Sequence, residues 1–223
     1  MRRAVVFACV AIVGAAHHAA AQEPRSGRID VSAGLLWMGG QAFGSADATE
    51  TTPTQTAFTL FSSTAELGAG TGIEGRVGVR VSRAIDAQVS GSYSRPTVKV
   101  SVANDVEGAA PLTAKDRLDQ YTVSVGLVWY PAARRAAASR FAPFVSGDVG
   151  YLRQLHELAT LVQTGRIVRV GGGVTYAWRS GAGRLKSSGL RFDAGAALRS
   201  KGAAFDDAVH AAPTAVVSLF ARF

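Results

Sequence analysis

The sequence predicts an all-β fold: an eight-stranded antiparallel barrel that crosses a membrane with strands rather than helices. Three observations predict it. Eight separate segments alternate apolar and polar residues with period two, which puts each set on one face of a strand. Forty positions on the apolar face carry no charge, whereas twelve of the thirty-five positions on the other face are charged. Aromatic residues gather at the segment ends, where a barrel wall meets the two membrane–water boundaries.

The segments follow one another at regular intervals. Ile29 to Trp37 opens the series, with Val31, Ala33 and Leu35 on the apolar face and Asp30 and Ser32 on the polar one. Ile73 to Val81 sets Val77 and Val79 against Glu74, Arg76 and Arg80, and Ile85 to Tyr93 sets Val89 against Asp86 and Gln88. Tyr121 to Trp129 sets Val123, Val125 and Leu127 against Thr122 and Ser124, and the shorter Val145 to Tyr151 carries Asp148. Ile167 to Trp178 places Arg169 and Gly171 opposite Val168 and Val170. Leu190 to Arg199 sets Phe192 against Arg191 and Asp193, and Ala215 to Phe223 sets Val217 and Leu219 against Ser218 and Arg222.

The charged face must be the inner one. A soluble barrel would pack its apolar face inside and turn charge to water, and a two-sheet sandwich would leave one face wet. Here the polar face is rich in Gly and in opposite charges, and most segments run about nine to eleven residues, enough to cross a bilayer at a tilt. Glu74, Arg76, Arg80, Asp86, Asp148, Arg169, Arg191, Asp193, Arg199 and Arg222 are therefore expected to share the lumen as a paired, water-bridged charge network. The inner glycines, Gly78, Gly126, Gly150, Gly171, Gly173 and Gly195, are expected to leave room for that water. On this reading an Arg placed at Val125 faces lipid, and one placed at Ser124 is milder because it enters the lumen.

An even strand number returns both ends to one side. The first, third, fifth and seventh connections (Met38 to Gly72, Ser94 to Asp116, Leu152 to Arg166, Ser200 to Ala212) are long, and the even ones (Ser82 to Ala84, Pro131 to Ala142, Arg179 to Lys186) are shorter. Long loops outside and short turns at the periplasm is the asymmetry expected of such a barrel. Thr97 to Val102 also alternates, and the first connection carries Phe58, Leu60 and Phe61, so both can form strand beyond the membrane. The short turns hold only basic charge (Arg83, Arg134, Arg135, Arg140, Arg179, Arg184, Lys186), suited to an anionic inner leaflet.

Composition agrees and excludes other classes. The chain has 223 residues, 48% hydrophobic and 18% charged, a formal charge of +8 and a single Cys, which rules out a disulfide framework. Residues 1–21 read as a cleaved signal peptide: Arg2 and Arg3, an apolar run from Ala4 to Ala16, then Ala19-Ala20-Ala21. Cys9 has too little of that run ahead of it for a lipoprotein. Residues 22–223 form the barrel domain. The basic pI alone would allow a nucleic-acid binder, but the export signal argues against nucleic acid as a partner.

With these features in place the chain resembles the small outer-membrane β-barrel proteins of the OmpA/OmpX-like group, often labelled porin family. The resemblance is architectural and covers the whole mature chain. Its sharpest motif is the last strand, where Val217, Leu219 and the terminal Phe223 match the pattern that the barrel-assembly machinery recognises in that family. The resemblance implies a monomer in the bacterial outer membrane, delivered by periplasmic chaperones, with phospholipid and lipopolysaccharide around it. The peptidoglycan-binding module of full-length OmpA-type proteins is expected to be missing after Phe223.

Residues that could carry chemistry are few. Gly171-Gly172-Gly173 lies within an alternating strand without a following Lys-Ser or Lys-Thr, so it reads as close packing rather than a phosphate loop. His156 and His210 are expected on exposed loops, and neither has ligand spacing to other strong ligands; no metal or cofactor is implied. Some barrels of this size modify lipid A with a Ser, a His and a carboxylate, and Ser200, His210, Asp206 and Asp207 supply those types in one predicted loop. The expected function is a structural or interaction role in the envelope without enzymatic activity, its functional surface on the long loops. A narrow porin-like channel is the alternative, and a lipid A-modifying enzyme a more distant one.

Overall fold

Apolar side chains that a soluble protein would hide stand on the outside of this one. The computed structural model describes residues 27–51, 57–131, 140–156, 162–180, 183–201 and 209–223; the signal-peptide residues, Arg134, Arg135, Asp206 and Asp207 lie outside them. Among the described residues there are eleven strands: β1 (Ile29–Met38), β2 (Gln41–Thr51), β3 (Ala57–Leu67), β4 (Gly70–Arg80), β5 (Ile85–Ser94), β6 (Thr97–Ala103), β7 (Leu112–Trp129), β8 (Phe141–His156), β9 (Val162–Ser180), β10 (Ser187–Lys201) and β11 (Val209–Arg222).

Eight of them close a ring. The order β7-β5-β4-β1-β11-β10-β9-β8 returns to β7 through the pairing of β7 with β8, and every pairing is antiparallel. The two chain ends meet where β1 joins β11: the Phe223 amide donates to the Ile29 carbonyl at 2.8 Å, and the Ile29 amide to Phe223 at 3.2 Å. All eight predicted segments lie within ring strands or end one residue past them. Closure removes the exposed edges that a sandwich would keep.

The faces sort as the period demands. Leu35, Ile73, Val125, Leu127, Val149, Val170 and Leu219 are exposed on the outer wall, while Glu74, Gln88, Ser124, Asp148 and Arg191 are buried inside. Tyr93 and Tyr121, with ring centroids 5.0 Å apart, join Trp37 and Tyr151 at the far end of the apolar band. Trp129, Phe141, Trp178 and Phe223 ring the end that carries the termini.

The long connections differ from expectation, because strand continues through much of them. The first holds β2 and β3, and the third holds β6 and the first residues of β7. The fifth and seventh shorten as β8 runs to His156 and β11 starts at Val209. β2, β3, β6 and the Leu112–Arg117 part of β7 form a four-stranded antiparallel sheet that prolongs one side of the barrel beyond the far rim. Three chain passages bend together at its base, at Gly39–Gly40, Gly68–Ala69 and Arg95–Pro96. Hydrogen bonds from Gly68 to Thr97 (2.7 Å) and from Leu118 to Pro96 (3.0 Å) carry the pairing across. Gly70 permits the approach, since a Cβ there would sit 3.1 Å from the Pro96 ring.

The hydrophobic sense inverts at this level. Along β7 the outward row runs Trp129, Leu127, Val125, Val123, Tyr121 and then turns polar at Asp119 and Arg117, while inward Leu118 is completely buried. Above the girdle Phe43, Ala65, Leu67, Val98 and Leu118 form an inward apolar cluster. Water, not lipid, surrounds that part, so apolar surface gains by turning inward.

Candidate functional site

The lumen concentrates charges of both signs, and it is built in layers. Near the end that carries the termini, Arg222 holds Asp30 at 3.0 Å and its guanidinium lies 5.3 Å from the Phe220 ring centroid. Arg80 stands 4.0 Å from Asp86 on the neighbouring strand. Val128, Tyr130 and Phe144 pack together there as an apolar plug.

The middle layer is ionic. Glu74 of β4, with its side chain only 1% exposed, receives both Arg76 of its own strand and Arg169 of β9 across the lumen. Arg76 also donates to Asp193 of β10 at 2.7 Å, and Asp193 in turn holds Arg191 at 3.0 Å. The Arg191 guanidinium lies 4.4 Å above the Phe144 ring. Arg169 donates to the hydroxyls of Ser90 (2.7 Å) and Ser124 (2.9 Å) and comes within 3.9 Å of Asp148, which accepts from Gln88 at 2.8 Å. Three carboxylates thus face three guanidiniums, and shared partners make the group a network rather than separate pairs.

Many of the network's charged groups meet directly. A small cavity of about 30 Å³ opens between Arg76, Asp148, Arg169 and Asp193, room for a few water molecules beside them. The inner glycines are not themselves open space. A Cβ on Gly126 would overlap the Asp148 carboxylate, and one on Gly173 would overlap the Phe192 carbonyl. They are small because large neighbours come close; among the six, Gly78 alone has its nearest atom at an ordinary 3.6 Å. Ser124 is likewise enclosed, 2% exposed and bonded to Ser90, so an Arg there would not be the mild change that its inward direction suggests.

The far layer differs. Leu36, Met38, Ala212 and Val216 pack together as a buried apolar collar at the top of the lumen, and Leu152, Ile167 and Ala197 are buried on the inner faces of the other strands. Within it Gln120 donates to Ser94 (3.2 Å) and accepts from Gln154 (3.3 Å). Arg199 sits here too, apart from the carboxylate network that the sequence suggested for it: its guanidinium contacts the Met38 sulfur and, among the described residues, belongs to no ion pair.

Of the residues considered for catalysis, Ser200 and His210 are described, and they are set apart. His210 is not on a loop but in β11, half-buried and edge-on to Phe43 with centroids 5.9 Å apart. Its cross-strand partner is Arg199, whereas Ser200 pairs with Val209. Directly opposed residues share a face and neighbours alternate, so Ser200 and His210 point to opposite sides of the wall. The backbone of His156 lies in β8 opposite Leu118. Among the described residues no three His, Cys, Asp or Glu come together as a metal site. At the far rim, outside the apolar band, Asp119 accepts from Tyr93 and Arg95, each at 2.7 Å. Those bonds, Arg95's first, hold its carboxyl below the usual range. The terminal residues Val217, Leu219 and Phe223 lie exposed on the outer wall.

A closed antiparallel ring of eight strands, apolar outside and ionic inside with aromatic belts at both ends, defines a small transmembrane β-barrel of the outer-membrane type. Among solved structures, the chain is similar to Ail, the attachment invasion locus protein of Yersinia pestis, crystallised with the heparin analogue sucrose octasulfate. The identity is 10% and the TM-score 0.39, over 89% of this chain and 99% of that one. A second Ail structure gives 11% identity and a TM-score of 0.38 over 89% and 100% of the two chains. No protein-family model and no curated protein matches the sequence.

Proposed function

We propose that the protein is a non-conducting barrel of the bacterial outer membrane that presents a binding surface outside the cell and has no enzymatic activity of its own. The observation that carries this reading is the filled lumen: an apolar plug, an ionic layer whose charged groups meet directly, and an apolar collar lie in series along it. An eight-stranded barrel has little interior beyond what side chains fill.

The binding surface is the four-stranded extension. Its edge strand β2 is exposed over most of Gln41–Thr51 and carries Asp47 and Glu50. Among the described residues this edge pairs with no strand but β3, and such an edge can accept a strand from a partner, its main-chain groups giving affinity and its side chains selectivity. Export by residues 1–21, carriage by periplasmic chaperones, insertion guided by Val217, Leu219 and Phe223, and a lipid-embedded monomer complete the proposal. Phospholipid surrounds the end that carries the termini and lipopolysaccharide the far rim.

Reconstitution in planar bilayers tests it. The expected result is no stable conductance; large, steady steps would establish the narrow-channel alternative and overturn the plugged barrel. Orientation is read by labelling intact cells, where Glu50→Cys is expected to react and Arg83→Cys, in the turn between β4 and β5, is not. Lipid A acylation is expected to be unchanged by expression; a change that His210→Ala abolished would make the protein an enzyme.

A further inference from the structure

Arg199 breaks the charge balance of the lumen. On the inner faces of the eight-stranded ring ladder, which begins on β7 at Leu118, the buried or half-buried arginines are Arg76, Arg80, Arg169, Arg191, Arg199 and Arg222, and the acids are Asp30, Glu74, Asp86, Asp148 and Asp193; Asp116, on the same face of β7, belongs to the outer sheet opposite Val98. Six positive charges meet five negative ones. The ion pairs account for every member except Arg199.

Its surroundings sharpen the imbalance. Arg199 is 3% exposed, and its Nε and Nη1 groups have no hydrogen-bond partner among the described residues. Its Nη2 meets only the Met38 sulfur, a weak acceptor. In the sheet it is flanked by Ile167, itself buried, and by His210. A guanidinium cannot shed its proton in such a place, so unlike a lysine it does not become neutral to escape burial. It needs a counter-charge, because a desolvated charge without one opposes folding.

We propose that the collar binds one small monovalent anion, of chloride size, against Arg199. One excess positive charge calls for one negative charge. Ile167, Ala197 and Ala212 near Arg199 in the sheet are apolar, and His210 opposite it turns edge-on to Phe43, so no second guanidinium or ammonium stands beside Arg199 there for a divalent anion. Met38 is the side chain that yields the space, since an unbranched thioether repacks readily. A further donor stands close to that side chain: Gln120 Nε2 lies 4.0 Å from the Met38 sulfur. The site belongs to the barrel itself and does not depend on what the outer sheet binds.

The test uses the refolded full-length mature protein in phosphatidylcholine vesicles, melted at constant ionic strength with chloride exchanged for gluconate. Binding to the native state alone raises the midpoint, and the rise saturates as one site fills. Wild type is expected to show a saturating rise with chloride. Arg199→Met suits the apolar collar, and it is expected to fold, to melt in gluconate at or above wild type, and to lose the chloride response. Bromide soaked into crystals is expected to scatter anomalously beside Arg199. A wild type indifferent to chloride, an Arg199→Met protein that responds as wild type does, or bromide found only elsewhere would overturn the site. So would a chloride response seen only in Asp206→Asn/Asp207→Asn, which would make a carboxylate of the chain the counter-ion.

Discussion

Replacing Glu74 by Gln removes the acid that ties the ionic layer together. Its carboxylate serves Arg76 and Arg169 at once from a side chain 1% exposed. Without it, two carboxylates face three guanidiniums beside a cavity of only about 30 Å³. Breaking a buried pair by removing one partner costs about 3–5 kcal/mol, because the other charge stays buried. Two features moderate the loss: Arg76 keeps Asp193 at 2.7 Å, and the new amide oxygen still accepts one hydrogen bond. The expected cost is therefore about 3 kcal/mol, at the low end of that range. Urea titration in lipid vesicles would measure it. In the double variant Glu74→Gln/Arg169→Gln charge balance returns, so the combined loss should fall short of the sum of the single losses by roughly 1–2 kcal/mol. A single-variant cost below about 1 kcal/mol, the size of an ordinary surface pair, would refute the network. So would additive losses.

Three further outcomes follow from the same geometry. Val125→Arg places a charge on the lipid face midway between Tyr121 and Trp129 on β7 and should cost about 2–4 kcal/mol in the same titration; no loss in lipid would show that this face does not meet the bilayer. Gly126→Ala drives a methyl into the Asp148 carboxylate and the Gly147 carbonyl, and should destabilise by about 1–3 kcal/mol. Gly75→Ala, whose Cβ meets nothing within 4 Å on the outer wall, is its near-neutral control. At the far rim Asp119 is held below the ordinary carboxylate range, so its contribution is present above about pH 4 and disappears as pH falls through the lower folded value. Asp119→Asn should flatten that acid limb of a stability–pH curve, and an unchanged limb would dismiss the Tyr93–Asp119–Arg95 cluster as its source.

The eight wall strands and the sense of their faces were legible in the sequence because both are local properties. Side chains alternate with period two whatever the partner strand, and lipid imposes its demand on each outward residue separately. Val123, Val125 and Leu127 announce the outer wall without reference to any other strand. The extension was less legible. Thr97 to Val102 alternates visibly, but β2 and β3 are rich in Thr, Ser and Ala on both faces, and water outside the membrane makes no sharp demand on them.

What the tertiary structure alone decided is which charges meet. Glu74 and Arg169 are 95 residues apart, and only the closing of the ring brings β4 opposite β9. The stagger of a closed barrel sets which inner side chains share a level, and no periodicity within a segment encodes it. For the same reason the inner glycines read as open space in the sequence and prove to be points of contact. Arg199, identical to its neighbours as a letter on the polar face, is left at a level where the ring supplies Leu, Ile and Met but no carboxylate. The alternation fixes the face a residue takes; the register between distant strands fixes its company.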